Sequence, residues 1–154
     1  MRYIAHRGLF QGPNVNLENT PNQIDLAINR GYDAEIDVWV QDDKIFLGHY
    51  YPLRKVELKW LAERPLWIHC KNIEAVQYFN DIPYALNYFW HQNDNYTLTS
   101  NRTIWVNPGN VLTKNCVMVM PEYIDGTLKN TIDVNCFGIC SDYIDKIRSL
   151  RNEI

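Results

Sequence analysis

Apolar and polar positions alternate along this chain in short runs, and the period of each run predicts a strand or a helix. Strand-length runs rich in β-branched and aromatic residues cover residues 2–6, 33–40, 44–49, 66–71, 85–91, 96–100, 103–107, 116–120 and 136–140. Helical periods cover residues 20–31, 56–63, 72–81 and 141–154. Strands and helices alternate through the first half of the chain, which favours a parallel sheet with the helices outside it.

Local signals mark the starts of two helices and the turn of one hairpin. Thr20 is a candidate N-cap, Pro21 fits the first helical position, and Gln23 completes a capping box. Asn72 is a candidate cap for a later helix. The two aspartates at 42–43 are typical of a tight turn, so we expect the runs on either side of them to form a hairpin.

The number of strands predicts an α/β fold, with about eight short strands closed into a compact (β/α)8 barrel of the TIM type. With 154 residues the chain is short for this fold, so we expect several outer helices to be shortened or missing. No linker or repeat interrupts the sequence, and we therefore expect residues 1–154 to form a single domain.

Charge and composition exclude several classes of protein. The net charge is −3 and no basic stretch could follow a row of phosphates, which argues against a general nucleic-acid binder. No apolar run approaches about 18 residues and the N-terminus lacks the apolar length of a signal peptide, so we predict no transmembrane segment and a cytoplasmic location. The cysteines lack the paired spacing of a zinc site and are predicted to be buried free thiols: Cys70, Cys116, Cys136 and Cys140.

Two carboxylates interrupt the second apolar strand. Glu35 and Asp37 are two residues apart, so in a strand their side chains point to the same face. Two like charges on the inner face of a packed strand are costly unless a cation compensates them. On the solvent face of an edge strand the same pair would have no special meaning. We favour a cation site, because the polar residues that end other strands are in phase with this pair.

Polar side chains recur where the predicted strands end. His6 and Arg7 end the first strand, and His49 ends the hairpin partner of the second. His69 and Lys71, again two residues apart, end the third parallel strand. The carboxyl ends of parallel barrel strands meet at one rim, where active sites form, so we expect these side chains to converge on one pocket. Taken singly, each has an ordinary explanation as a hydrogen-bonded or outward-pointing residue.

Several of these motifs resemble a known family. "IAHRG" (4–8), "ENTPNQIDLAINRGYD" (18–33), "EIDV" (35–38) and "GH" (48–49) look like the N-terminal motifs of the glycerophosphodiester phosphodiesterases. That family belongs to the barrel-shaped phosphodiesterases that include the phosphatidylinositol-specific phospholipases C. "GICSDYI" (138–144) resembles the family's last strand, which ends in an acidic turn. The resemblance covers about the first third of the chain and this last strand, and the middle matches poorly.

The resemblance implies a role for each matching residue. It implies catalysis by His6 and His49, phosphate binding by Arg7 and Lys71, metal ligation by Glu35 and Asp37, and organisation of the site by Glu18 and Asn19. The family usually has a third metal ligand, a glutamate, where this chain has His69, and imidazole can also bind a divalent ion. The family often has aspartate after the second histidine, where this chain has Tyr50. The chain also lacks room for the insertion that many members carry after the second strand.

The function that the residues and the resemblance imply is metal-dependent hydrolysis of a small glycerophosphodiester-like molecule. Two histidines would move protons, and carboxylate oxygens suit Mg²⁺ or Ca²⁺, with Mn²⁺ as a further candidate. The sequence leaves open which histidine is the acid and which is the base. One alternative is a phosphodiesterase or lyase that acts on another lipid or glycan head group. Another is a non-catalytic module that binds a phosphate-sugar on a degenerate barrel. The substitution at His69 favours this alternative. The presence of both candidate catalytic histidines argues against it, because simple binding needs no acid–base pair.

Two further stretches are candidates for the same pocket. The aromatic segment at 87–96, with His91, would either floor a sugar or glycerol pocket or form a core strand rich in tyrosine and tryptophan. Glu122 follows another strand and is a candidate for the rim. Neither stretch belongs to the motifs that carry the resemblance.

Overall fold

The structure is a computed structural model that describes residues 1–152 of the chain. These residues contain ten short strands and five α-helices, joined by turns and loops. The strands are β1 (Arg2–Ala5), β2 (Asp33–Gln41), β3 (Lys44–Leu47), β4 (Arg54–Val56), β5 (Leu66–Cys70), β6 (Tyr88–Trp90), β7 (Tyr96–Leu98), β8 (Ile104–Val106), β9 (Cys116–Val119) and β10 (Gly138–Ser141). The helices are α1 (Pro21–Asn29), α2 (Leu58–Ala62), α3 (Ile73–Asp81), α4 (Glu122–Asp125) and α5 (Ile144–Asn152). The fold is therefore mixed α/β.

Seven of the strands pair in parallel, in the order β6-β5-β2-β1-β10-β9-β8. The other three are antiparallel: β3 pairs with β2, β4 with β3, and β7 with β8. Among residues 1–152 the ladders do not close into a barrel, because no ladder joins β6 to β7. One main-chain hydrogen bond, from Ser100 N to Tyr88 O at 2.8 Å, links β6 to the turn between β7 and β8. The (β/α)8 barrel therefore stays a prediction.

One apolar cluster shows that the parallel run curls. Side chains from six of its strands meet there: Ile4, Trp67, Phe89, Trp105, Val117, Val119 and Cys140. The Trp105 ring lies 4.7 Å from Phe89 and 5.8 Å from Trp67, measured between ring centroids, although β8 is remote from β5 and β6 along the sheet. The strands therefore wrap around a shared core, and their carboxyl ends lie around one opening.

Helix α1 begins as its sequence predicts and packs against the turn that carries the first histidine. Thr20 Oγ1 accepts a hydrogen bond from Gln23 N at 3.3 Å, and Pro21 is the first helical residue. The capping box is wrong in its second half, because Gln23 Nε2 donates instead to Gly8 O at 3.1 Å. Gly8 has a φ of 79°, and a Cβ there would lie 3.0 Å from Ile24 Cγ1. Glycine therefore lets the turn and α1 approach each other closely.

The start of α3 is tied to β2. Asn72 caps the helix by accepting from Ala75 N at 3.3 Å, as predicted. The same side chain accepts from Val40 N at 3.1 Å and donates to Val40 O at 2.7 Å. Because these bonds join α3 to the end of β2, they also hold the neighbouring end of β5 in place.

The structure corrects some predicted boundaries. Val56 belongs to β4 and the following helix begins at Leu58, so the helix predicted at 56–63 starts too early. Helix α4 was not predicted. The last helix runs from Ile144 to Asn152, and residues 153–154 lie outside the described part of the chain. All four cysteines are buried free thiols, as predicted. Across residues 1–152, no helix combines the length and the apolar character that crossing a bilayer requires.

Candidate functional site

A cavity of about 440 Å³ opens at the carboxyl ends of the parallel strands. Seven of the nine predicted site residues line it: His6, Arg7, Glu35, Asp37, His49, His69 and Lys71. The other two lie behind this wall, where Glu18 contacts Arg7 and Asn19 contacts Asp37. The structure thus brings together residues that the sequence places on four separate segments.

The two carboxylates of β2 face this cavity, as their spacing predicts. Glu35 is 2% exposed and Asp37 is 1% exposed. Strand β2 pairs with β1, β3 and β5, so the alternative of a solvent-facing pair on an edge strand is wrong. Two buried acids on one strand therefore need compensation from the side chains around them.

His69 lies beside Asp37 because β5 pairs with β2 in that register. Its Nε2 donates to the main-chain oxygen of His91 at 2.8 Å, and its ring stacks on Phe89 with an interplanar angle of 7°. Its Nδ1 lies 3.1 Å from Asp37 Oδ1 and 3.8 Å from Glu35 Oε1. Because a carbonyl only accepts hydrogen bonds, a neutral ring presents its Nδ1 lone pair to two carboxylates. A cation or a proton must lie between them.

Glu35, Asp37 and His69 each offer one ligand atom, and these atoms all lie within 4.8 Å of one another. Two carboxylate oxygens and one imidazole nitrogen form a donor set that fits a divalent metal ion. The orphaned Nδ1 lone pair supports that fit on geometry alone. Among residues 1–152, this is the group of acidic, histidine and cysteine side chains that meets the distance requirement for a metal.

Asp37 has hydrogen-bond or ion-pair partners on both carboxylate oxygens. Oδ2 accepts from Asn19 Nδ2 and from His49 Nδ1, each at 2.9 Å, and Lys71 Nζ lies 3.3 Å from Oδ1. Burial raises the pKa of this carboxyl, but the hydrogen bond from His49, the adjacent His69 ring and the charge of Lys71 outweigh burial. The pKa therefore lies well below its ordinary value, and Asp37 is ionised.

Arg7 is held in a left-handed backbone conformation, with a φ of 51°. Its main-chain N donates to Glu35 Oε2 at 3.0 Å, and its Nη1 donates to Glu18 Oε2 at 2.9 Å. Its buried Nε lies 3.2 Å from Asp37 Oδ2 but is aligned with no hydrogen-bond acceptor among the described residues. Arg7 is thus positioned by three acids at the wall of the cavity.

His49 follows β3 on a tight turn. A Cβ on Gly48 would lie 2.1 Å from Tyr51 O, so the turn requires glycine. His49 Nδ1 donates to Asp37 Oδ2, and its Nε2 accepts from Arg7 Nη2 at 3.2 Å. A carboxylate only accepts and a guanidinium only donates, so these partners select the neutral ring with its proton on Nδ1.

His6 is oriented by an acid that the motifs did not assign. His6 Nδ1 donates to Asp142 Oδ1 at 2.8 Å, and His6 Nε2 lies 3.9 Å from Glu35 Oε2. Burial lowers the pKa of His6, but the hydrogen bond to Asp142 and the negative charges of Glu35 and Asp142 outweigh burial and raise the pKa. The signal in the sequence was the acidic turn after the last strand, in "GICSDYI".

Glu122 does not line the cavity and instead supports the turn that holds Asp142. Its Oε1 accepts from Asp142 N at 3.1 Å, and both of its oxygens lie 2.9 Å from the hydroxyl of Ser141. Burial raises the pKa of Glu122, and the hydrogen bonds from Ser141 and Asp142 act in the opposite direction. The predicted rim position is therefore wrong, and Glu122 acts one step behind the rim.

The aromatic segment at 87–96 contributes both to the core and to the cavity wall, and a sugar or glycerol ligand stays a prediction. Phe89 is buried beneath His69, while Trp90, His91 and Gln92 line the cavity. Sequence reasoning missed the opposite wall, which includes Trp105, Asn107 and Tyr123. Trp105 and Asn107 lie in and just after β8, and Tyr123 lies in α4. None of the three carries a charge, so the sequence offered no chemical signal for them.

The geometry thus joins a candidate metal centre, two cationic side chains and two histidines in one cavity. His6 is held from β1 and from the turn after β10, whereas His49 is held from the hairpin β2–β3. Each ring lies beside one of the two acids, His6 beside Glu35 and His49 beside Asp37. Comparisons of the chain with protein-family models, with curated proteins and with solved structures found no match, so any functional assignment depends on these residues and their geometry.

Proposed function

We propose that this protein is a metal-dependent phosphodiesterase that hydrolyses a small glycerophosphodiester-like substrate. The observation that carries the proposal is the pair of histidines, His6 and His49, each beside a different acid of one buried metal-donor cluster. Simple binding of a phosphate needs no acid–base pair, so this arrangement favours catalysis over a binding module. The chemistry would also serve a phosphodiester on another lipid or glycan head group.

Glu35, Asp37 and His69 would hold the divalent ion. When bound, such an ion polarises a phosphoryl oxygen and offsets the charge that develops on it. The chain itself contributes two more positive charges, from Arg7 and Lys71, at the same wall of the cavity. A phosphodiester is an anion, so a cavity with these cations is electrostatically complementary to it.

Arg7 would bind the phosphate through its guanidinium, which lines the cavity. The same guanidinium also donates to His49 Nε2. If a phosphate oxygen takes over that donor, His49 Nε2 is released with its lone pair free. Binding of the substrate would then prepare the base at the moment when it is needed.

His49 would act as the general base and His6 as the general acid. Asp37 accepts the proton on His49 Nδ1 and Arg7 donates to Nε2, so Nε2 is the atom that can accept a proton. The environment of His6 raises its pKa and favours the charged form, which can donate from Nε2. The attacking hydroxyl, from water or from the substrate, gives its proton to His49 as its oxygen bonds to phosphorus; the bond from phosphorus to the leaving oxygen breaks, and His6 protonates that oxygen. Where the attacker is a neighbouring hydroxyl of the substrate, water then opens the cyclic phosphate that results.

The test is turnover of a glycerophosphodiester by the purified full-length chain, with and without added divalent ion. We expect metal-dependent release of the alcohol, and a large loss of rate in His6→Gln and in His49→Gln. Circular dichroism of both variants controls for folding. Near wild-type rates in both variants on an unactivated diester would overturn catalysis by this pair. Tight binding of the diester without turnover would favour the phosphate-sugar binding module instead.

We also propose that the curled sheet corresponds to a reduced (β/α)8 barrel. Support comes from the order of the seven parallel strands and from the cluster that six of them share. Strand β7 would occupy the position where β6 and β8 would otherwise pair. Crystallography tests this proposal, and a continuous ladder across β6, β7 and β8 is the expected result.

A further inference from the structure

The candidate metal centre differs from an all-oxygen site because one of its three donors is an imidazole nitrogen. We propose that this centre selects a first-row transition ion, such as Mn²⁺, Fe²⁺, Co²⁺ or Zn²⁺, over Mg²⁺ and Ca²⁺. The inference rests on the proposed function only in placing a metal at Glu35, Asp37 and His69. It replaces the expectation of Mg²⁺ or Ca²⁺ that carboxylate oxygens alone suggested.

The ring of His69 is preset as a ligand. Its Nε2–H donates a hydrogen bond to the main-chain oxygen of His91 at 2.8 Å, and Phe89 stacks against its face. Metal-binding histidines typically donate their second ring N–H to a carbonyl or carboxylate, which fixes the tautomer and the direction of the lone pair. Nδ1 therefore points at Asp37 and Glu35 without a rotamer change.

The charge around the centre also disfavours the hard ions. Lys71 Nζ lies 3.3 Å from Asp37 Oδ1, and Arg7 Nε lies 3.2 Å from Asp37 Oδ2. Much of the negative charge of Asp37 is therefore already compensated by the chain. Ca²⁺ and Mg²⁺ are bound through oxygen ligands, whereas imidazole suits the later divalent ions. The His69 nitrogen binds a metal as a neutral ligand, so this compensation does not weaken it. It therefore contributes a larger share of the metal affinity.

The rival arrangement needs no metal. A protonated His69 would itself be the cation between Asp37 and Glu35, with Nδ1 as a donor at 3.1 Å from Asp37 Oδ1. The same side-chain positions would then form an internal ion pair. Such a centre would bind no divalent ion tightly, and this outcome is separable from selective binding.

Equilibrium binding to the chelator-treated protein tests the inference. Isothermal titration with Mn²⁺, Zn²⁺, Mg²⁺ and Ca²⁺, each alone, gives the selectivity of the wild type, of His69→Glu and of His91→Gln. Transition ions bind more tightly than Mg²⁺ to most sites, so the decisive quantity is the change in the ratio. We expect the preference for Mn²⁺ over Mg²⁺ to fall by about tenfold or more in His69→Glu, as for loss of a ligand interaction.

His91→Gln is the matched control, because it removes the other cavity histidine on this wall but keeps the main-chain oxygen that holds His69. Its ion preference should equal that of the wild type. Electron spin-echo spectroscopy of the Mn²⁺-loaded wild type should also show coupling to a ring nitrogen. That signal requires no variant, so it decides the question if His69→Glu does not fold.

Three results would overturn the inference: equal affinity of the wild type for Mn²⁺ and Mg²⁺, an unchanged ratio in His69→Glu, or no divalent binding at all. The last result would support the internal ion pair. A nitrogen-coordinated transition ion in a protein that turns over no phosphodiester would leave this inference standing and refute the proposed function. Turnover with an ion that shows no nitrogen coupling would do the reverse.

Discussion

At the scale of single residues, the site depends most on Asp37. Its two oxygens contact side chains from four segments, which carry Arg7, Asn19, His49, and His69 with Lys71. One carboxylate thus orients the proposed base and contributes to the proposed metal centre. A substitution at Asp37 would disturb both functions together, so it cannot separate them.

Glu35 offers the cleaner test of metal ligation. Glu35→Gln keeps an oxygen that can accept from Arg7 N but removes the charge, so we expect metal affinity to fall by about tenfold or more while the fold persists. Isothermal titration with Mn²⁺ measures the change. Glu18→Gln is the control, because Glu18 pairs with Arg7 but lies behind the cavity wall. Equal affinities in all three proteins would show that Glu35 is not a ligand.

The assignment of acid and base predicts an asymmetry between the two histidine variants. On an unactivated diester, His6→Ala and His49→Ala should each lose about 10²–10⁴-fold in rate. A substrate with a p-nitrophenolate leaving group needs little protonation, so it should restore the rate of His6→Ala and not that of His49→Ala. The measurement is initial rate on both substrates at one pH. Rescue of His49→Ala instead would exchange the two roles.

The sequence indicated these residues because of their spacing, and missed others for a physical reason. Glu35 and Asp37 were visible as charges inside an apolar strand, where a buried charge needs a compensating partner. Asp142 was hidden, because an acid after a strand is ordinary until its partner is known. That partner, His6, is 136 residues away along the chain.

At the scale of elements, hydrogen bonds between α4 and the end of β10 support His6, the proposed general acid. Glu122 receives hydrogen bonds from Ser141 and Asp142, and Asp142 in turn accepts from His6. These contacts form a chain of polar groups from α4 to the cavity. Because each link fixes the next, Glu122 of α4 positions His6 although Glu122 itself does not line the cavity.

Glu122→Ala should therefore lower both stability and turnover. It leaves Ser141 Oγ and Asp142 N without their acceptor, and we expect a loss of about 1–3 kcal/mol in the free energy of unfolding. Urea denaturation measures the loss, and kcat should fall more than KM rises because His6 is misoriented. Glu122→Gln keeps one carbonyl oxygen and should recover much of both. If Glu122→Ala matched the wild type in kcat, the chain of contacts would have no role in catalysis.

Helix starts and the first hairpin were predictable because their signals are local. Thr20, Pro21 and Asn72 act within one helical turn of where they stand. Asp42 and Asp43 both adopt left-handed backbone angles, as a tight hairpin turn requires. Helix α4 has no comparable signal, because its contact with β10 spans about 20 residues of sequence and leaves no period to detect.

At the scale of the whole molecule, an ion that binds only the folded state should stabilise it. At an ion concentration 100 times Kd the gain is about 2.7 kcal/mol. For a chain of this length that corresponds to a rise of roughly 5–10 °C in Tm. Thermal melts with Mn²⁺ and after chelation measure it. Asp37→Asn should show almost no rise, and an equal rise in that variant would place the ion elsewhere.

Closure of the sheet was the part of the architecture that the sequence could not settle. A run of three residues such as β6, β7 or β8 carries too few alternating positions to reveal its direction or its partner. The polar strand ends were more informative. They depend only on β1, β2 and β5 being neighbours, and the pairing of these three strands bears that out.

The oxygen that holds His69 in place belongs to the main chain of residue 91 and not to its side chain. Every amino acid presents that same carbonyl, so no point mutation at residue 91 can delete the contact. The side chain at residue 91 can therefore change while the path of the backbone keeps the orientation of the imidazole. What selection must preserve is the length of the connection between β6 and β7, because an insertion or deletion there would move the carbonyl and turn the ring.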